Sequence, residues 1–189
     1  MPYRKVEFRA DEYYHLYNRG SNYQPIFHER ENYLYLLRQI RKYLPDTAIE
    51  MVAYCLMPNH YHFLVHLKVD DLSSLLQPVL VSYSKSFNRR YGRAGPLFQG
   101  PFRAAHVDRN EYLLHLSRYI HRNPVAAGLV ASAQEWEFSS YPEFIGLRSG
   151  TLPKPEVILS QFSSASDYRR FVESYAGADD GVITHLMLE

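Results

Sequence analysis

The order of elements legible along the chain is strand, helix, hairpin, helix, strand, helix, which predicts an α+β sandwich on one antiparallel sheet. Three observations carry that expectation. Short strand-like runs alternate with segments whose apolar residues fall at helical spacing. Two of the runs, at 48–56 and 60–67, are separated by so short a turn that they must form a hairpin. Finally, 46% apolar residues in 189 can fill one core, and 22% charged residues can solvate its surface.

The first run, YYHLYN at 13–18, reads as a strand closed by the turn signal Arg19-Gly20-Ser21-Asn22. From 29 to 44, Tyr33, Leu36, Leu37, Ile40 and Leu44 are spaced as one helix face, with Pro45 just past the end. AIEMVAYCL at 48–56 and HYHFLVHL at 60–67 are the hairpin strands, with MPN turning between them. A second helix spans 71–91 and contains Pro78, which demands a first-turn or kinked position. Residues 92–101 form a loop dense in glycine and proline, and FRAAHV at 102–107 is a short strand. Asp108 and Glu111 have the spacing of a capping box, opening a helix that runs to 119–123. Pro124 biases Asn123 away from helical geometry and should stop it there. Beyond Trp136 the chain is rich in proline and serine until 161–177, where a small helix is expected.

Composition excludes several classes. No stretch approaches the ~18 uninterrupted apolar residues of a membrane span. The N-terminal residues lack an apolar signal core, so a cytoplasmic location without membrane partners is expected. A single cysteine, Cys55, rules out an internal disulfide framework and a cysteine-rich zinc site. The net charge of +1 hides an uneven distribution. Residues 85–122 carry eight basic side chains against two acidic, whereas 123–189 carry four basic against nine acidic. A basic middle points to a polyanion, and an acidic tail to a solvated or self-masking segment.

Two constellations can carry chemistry. In His60-Tyr61-His62, residues two apart on a strand share a face, with Cα atoms roughly 6.5–7 Å apart, so both imidazoles can reach one metal ion. His66 has the same parity further along; the bland alternative is that these are satisfied sheet histidines. In YLLHLSRYIHRNPV, Tyr119 and Asn123 are four apart on one helix face, with His115 four before Tyr119. There the bland alternative is a core aromatic and a helix stop.

Four segments in order lift both features: MPNHYHFLV (57–65), NRRYGRAGPLFQGPFRA (88–104), YIHRNPVAAGLV (119–130) and WEFSSY (136–141). In order and spacing they resemble the HUH single-tyrosine transposases, above all the REP-associated tyrosine transposases, over residues ~10–145. The resemblance implies a ferredoxin-like sandwich. It also implies a catalytic domain at 1–145 with a C-terminal extension at 146–189. On this likeness His60 and His62 match the histidines that bind a divalent metal, Mg²⁺ or Mn²⁺, and Asn123 matches the third ligand, with His115 as competitor. Tyr119 matches the nucleophile. Tyr61 departs from the usual aliphatic middle residue, but its side chain belongs to the other side of the sheet.

The implied activity is a metal-dependent single-strand DNA endonuclease and strand transferase acting near hairpin-forming repeats through a 5′-phosphotyrosine. Arg89, Arg90, Arg93 and Arg103 flank the glycine-rich loop and can hold phosphates, while Phe98 and Phe102 can stack on an unpaired base or pack in the core. The expected partner is single-stranded DNA bearing hairpin repeats, met by a monomer or a homodimer. Alternatives are a catalytically silent DNA-binding repressor on the same fold, a replication- or relaxase-type nickase, and a metal-dependent hydrolase.

Overall fold

Four strands, β1 (Glu12–Arg19), β2 (Ile49–Met57), β3 (His60–Leu67) and β4 (Arg103–Val107), form one antiparallel sheet in the order β2-β3-β1-β4. The structure is a computed structural model and describes residues 6–174 and 183–187. Helix α1 (Arg30–Tyr43) links β1 to β2 and α2 (Leu72–Arg90) links β3 to β4, which completes the ferredoxin-like βαββαβ unit. Helix α3 (Asn110–Ala126) follows it.

Strand alternation divides the core in two. Tyr61, Phe63, Val65 and Leu67 of β3 meet Leu36 and Ile40 of α1 and Leu76, Val79 and Tyr83 of α2. Leu64, of the opposite parity, packs with Leu113, Leu116 and Ile120 of α3. His60 and His62 share Leu64's parity and so belong to the α3 side. The long apolar run of β2 reflects burial on both faces, and a bulge interrupts its alternation: Met51 pairs with Val65 and Ala53 with Leu64, which leaves Val52 as the extra residue. Past the bulge, Ala53, Cys55 and Met57 turn to the α3 core while Tyr54 and Leu56 keep to the other.

Helix ends obey local chemistry, with two departures from expectation. Helix α1 opens with a reciprocal box between Glu29 and Asn32, and Asp71 caps α2 by accepting from the Ser74 amide at 3.0 Å. Pro78 lies in the second turn of α2, not the first, and the helix runs through it. Both Pro78 and Ser74, four residues earlier, face solvent, so water can satisfy the carbonyl that proline cannot. In α3 the Asp108–Glu111 box does not form. The cap position falls on Arg109, which places those residues one before the cap and at the second helical position. Nor does Pro124 end the helix. Pro124 is buried inside it, and the stop comes at Gly128, with φ +69. The Gly128 amide donates to the Val125 carbonyl at 3.0 Å and the Leu129 amide to the Pro124 carbonyl at 2.9 Å, the paired bonds of a Schellman close.

Residues beyond α3 return to the sheet. The Leu56 amide donates to the Phe138 carbonyl at 2.9 Å and the Lys154 amide to the Met51 carbonyl at 2.7 Å, covering the open edge of β2. Trp136 and Phe138 pack on Tyr33, the latter stacked at 3.8 Å. Short helices α4 (Tyr141–Phe144) and α5 (Glu156–Leu159) and the longer α6 (Ala165–Glu173) then deliver Phe144, Ile158, Tyr168 and Val172 to the α3 core. Helix α6 falls within the expected 161–177; residues 175–177 lie outside the described ones. Among the described residues, no helix is long and apolar enough to cross a membrane.

Candidate active site between strand 3 and helix 3

Cross-strand register sets the floor of the site. Across the β1–β3 pair, Arg19 lies opposite His60, Tyr17 opposite His62 and His15 opposite Leu64, so all six share one face. Helix α3 crosses that face and remains helical through Asn123, so Tyr119 and Asn123 keep their four-residue spacing on one side. The Tyr119 ring stands edge-on to His62 with centroids 5.4 Å apart, and Asn123 Oδ1 is 3.2 Å from His60 Nε2. The His60 and His62 rings are 4.9 Å apart and nearly perpendicular. One strand, β3, and one helix, α3, thus gather the four side chains that the sequence singles out.

Burial holds both histidines neutral, the state in which an imidazole can bind a cation. It pushes His60 below its ordinary value, an effect Asn123 partly offsets, and His62 well below. His60 Nδ1 donates to Asn59 Oδ1 at 2.7 Å, and the Asn59 amide nitrogen, donating to the Tyr23 carbonyl at 3.3 Å, supports that assignment. The lone pair of His60 is therefore on Nε2, facing an amide oxygen that is also an acceptor. His62 Nε2 is buried with no hydrogen-bond partner among the described residues. Two bare imidazole nitrogens and an amide oxygen suit a divalent cation, and the orphaned nitrogen is a donor left for one.

His115 does not converge on this cluster. Its Nδ1 accepts from Arg118 at 2.8 Å and its ring meets Phe171 of α6 at 5.9 Å. The reason is rotation: eight residues of helix turn His115 roughly 80° away from Asn123. Among the described residues no three histidine, cysteine or carboxylate side chains group as a metal site. Arg118, lying over Phe171 at 4.3 Å, and Arg122, donating to the Val172 carbonyl at 3.2 Å, are bound to α6. His66 is held by Glu50 at 3.2 Å and stacked on Tyr13 at the far end of β3.

The expected DNA-contact residues separate in space. Arg103 is exposed and lies opposite Tyr17, which lies opposite His62, so the three occupy one row across the sheet face that α3 covers. Arg89 is exposed at the end of α2, in the layer on the other side of the sheet. Arg90 there is paired with Glu29 at 2.6 Å, and Arg93 lies over Phe87 at 5.6 Å. Phe98 and Phe102 are 8% and 6% exposed and belong to the α1–α2 core. With Leu80, Val81 and Lys85 they line a groove of about 440 Å³. Sequence reasoning missed two residues of this face, His15 and Arg19. Their odd numbering in β1, shared with Tyr17, was the available signal, but it needed the register to be read.

Residues 9–123 match the sequence family described as transposase IS200 like. No curated protein matches the chain. Among solved structures, a REP-associated tyrosine transposase bound to a REP hairpin is 23% identical, with a TM-score of 0.63 over 87% of this chain and 96% of that one. A protein described as a candidate transposase from Deinococcus radiodurans R1 is 15% identical, with a TM-score of 0.41 over 65% of this chain and 97% of that one. A bacterial tRNA(His) guanylyltransferase-like protein in complex with GTP is 8% identical, with a TM-score of 0.46 over 71% of each chain.

Proposed function

Because this chain belongs to the IS200-like transposase family, we propose that it is a metal-dependent single-strand DNA endonuclease and strand transferase cleaving beside hairpin-forming repeats. The observation that carries this reading is the placement of the Tyr119 phenol against His62 while Asn123, one helical turn on, meets His60. Residues 1–145 are the catalytic domain in this reading, and 146–189 an extension of it.

Tyr119 Oη attacks the phosphorus of the scissile phosphodiester and gives up its proton. The Oη–P bond forms, the P–O3′ bond breaks, and the departing 3′-oxygen takes up a proton to become a hydroxyl. The fragment on the 3′ side of the break stays on the enzyme through its 5′-phosphate, as a 5′-phosphotyrosine. Since one phosphoester replaces another, rejoining to a different 3′-hydroxyl is the same step reversed and needs no nucleotide cofactor. His60, His62 and Asn123 would hold Mg²⁺ or Mn²⁺, which when bound polarises a non-bridging phosphate oxygen. Two imidazole donors favour Mn²⁺ of the two. Arg103, exposed in the row with His62, and Arg19, beside His60, lie where the phosphates flanking the break would pass. The hairpin held by the structurally similar REP-associated transposase supports hairpin-bearing single-stranded DNA as the partner.

A covalent-adduct assay tests this function. The protein and its Tyr119→Phe variant are incubated with hairpin-bearing single-stranded DNA from the gene's own flanks, with Mn²⁺ or EDTA. The expected result is an SDS-resistant adduct mapped to Tyr119, absent in the variant and with EDTA, while DNA binding survives in both. Cleavage leaving a free 5′-phosphate with no adduct would mean attack by water. Tight binding without cleavage would mean a repurposed DNA-binding protein.

A further inference from the structure

Strand β1 carries a third imidazole on the catalytic face, and the chemistry above leaves it without a part. His15 is fully buried, and its register partner is Leu64, so it sits diagonally across from His62. The two rings stack at 5.1 Å, and His15 Nε2 is 3.0 Å from His62 Nδ1. On its other side, His15 Nδ1 is hydrogen-bonded to the carbonyl of Leu186, in a short 3₁₀ turn (Thr184–Leu186).

The direction of this chain is set at its carbonyl end. A carbonyl oxygen only accepts, so His15 holds a proton on Nδ1 and donates it to Leu186. Both rings are fully buried, which disfavours charge, so each carries one proton. His15 Nε2 is then an acceptor, and His62 must donate to it from Nδ1. That leaves the His62 lone pair on Nε2, the atom that is buried without a partner among the described residues. The opposite tautomer would oppose two lone pairs at 3.0 Å and turn an N–H toward the cation site.

We propose that His15 is a positioning residue: relayed from the Leu186 carbonyl, it holds His62 in the Nδ1–H tautomer and so presents Nε2 to the divalent cation. The proposal rests on the reading of His62 as a metal ligand. It assigns the Leu186 turn a part in that ligand's preparation, through a residue that touches neither metal nor DNA.

The test measures the tautomer first and metal second. Long-range ¹H–¹⁵N NMR of the metal-free full-length protein is expected to show His62 protonated on Nδ1 and bare on Nε2. Mn²⁺ titration then compares His15→Leu, which removes the acceptor, with His15→Gln, whose amide can accept from His62 and donate to Leu186. The leucine variant is expected to bind Mn²⁺ about 10- to 100-fold more weakly, the usual effect of losing such an outer partner, and the glutamine variant to stay within a few-fold. Wild-type His62 carrying its proton on Nε2 overturns the role of His15, whether or not the leucine variant folds. So does a folded His15→Leu protein with unchanged Mn²⁺ affinity. A His62→Ala protein that binds Mn²⁺ as well as wild type instead removes the premise that His62 is a ligand.

Discussion

In the proposed metal site, each candidate donor is met by a side chain from outside the pair of histidines. Asn59 is hydrogen-bonded to His60, His15 to His62, and α3 delivers the Asn123 oxygen to within 3.2 Å of His60 Nε2. A neutral amide oxygen is the weakest donor of the three, which makes Asn123 the informative position. Asn123→Ala should weaken Mn²⁺ binding by at least tenfold in calorimetry. Asn123→Asp, which adds a formal negative charge at the same place, should tighten it. Unchanged affinity in both variants would remove Asn123 from the ligand set. Arg103 poses a different question, because its exposed guanidinium is the proposed partner of a phosphate, not of the metal. Arg103→Gln should lower single-strand DNA affinity and reduce the slope of log affinity against log salt by about 0.7, the share of one phosphate contact. Mn²⁺ binding should be unaffected.

At the scale of elements, α3 carries the most consequence, and its length differs from local expectation. Asn123-Pro124 reads as a stop, yet Pro124 is tolerated in the last turn because the chain closes beyond it at Gly128. That extra turn makes Asn123 an interior helical residue rather than a frayed cap. Gly128 has φ +69, and a Cβ there would meet no atom within 4 Å, so alanine adds backbone strain and nothing else. Gly128→Ala should therefore cost about 1 kcal/mol in urea unfolding. Its hydrogen exchange should be faster at the end of α3 and unchanged in α1. The hairpin shows the reverse balance: β3 spans His60–Leu67, the residues its alternation predicts, because parity and a two-residue turn leave no other register with an apolar inner face.

The whole molecule depends on burying neutral histidines. His121, on α3, bridges the Tyr168 hydroxyl at 2.7 Å and the Ser140 hydroxyl at 2.8 Å, and burial brings it down to about 3; His15 is brought down to about 4. Below pH ~6.5 the unfolded chain takes up protons that these folded rings refuse. Stability is thus complete above that pH and falls as pH drops toward 4 and then 3, by up to roughly 1.4 kcal/mol per unit for each ring. Urea midpoints in EDTA should decline steadily from pH 7 to 5, and His121→Gln should flatten that decline. The C-terminal residues share in the same core. Tyr168 is fully buried, and its hydroxyl meets both His121 and Ser117, so Tyr168→Ala should cost about 3–5 kcal/mol. An unchanged thermal midpoint in that variant would mean that α6 is not part of the stabilising core.

Along the chain, the sequence by itself determined the element order, the shared face of His60 and His62, and the shared helix face of Tyr119 and Asn123. These follow from periods of two and 3.6, which any stretch of chain expresses locally. Only the tertiary structure decided that the even face of β3 looks toward α3 and that Arg103 shares its row while Arg89, Arg90 and Arg93 do not. It also decided that Phe98 and Phe102 belong to the core, and that a carbonyl 171 residues away from His15 completes the chain to His62. Strand register and the side on which a helix docks are set by how separate apolar faces fit together, and no local period carries that information.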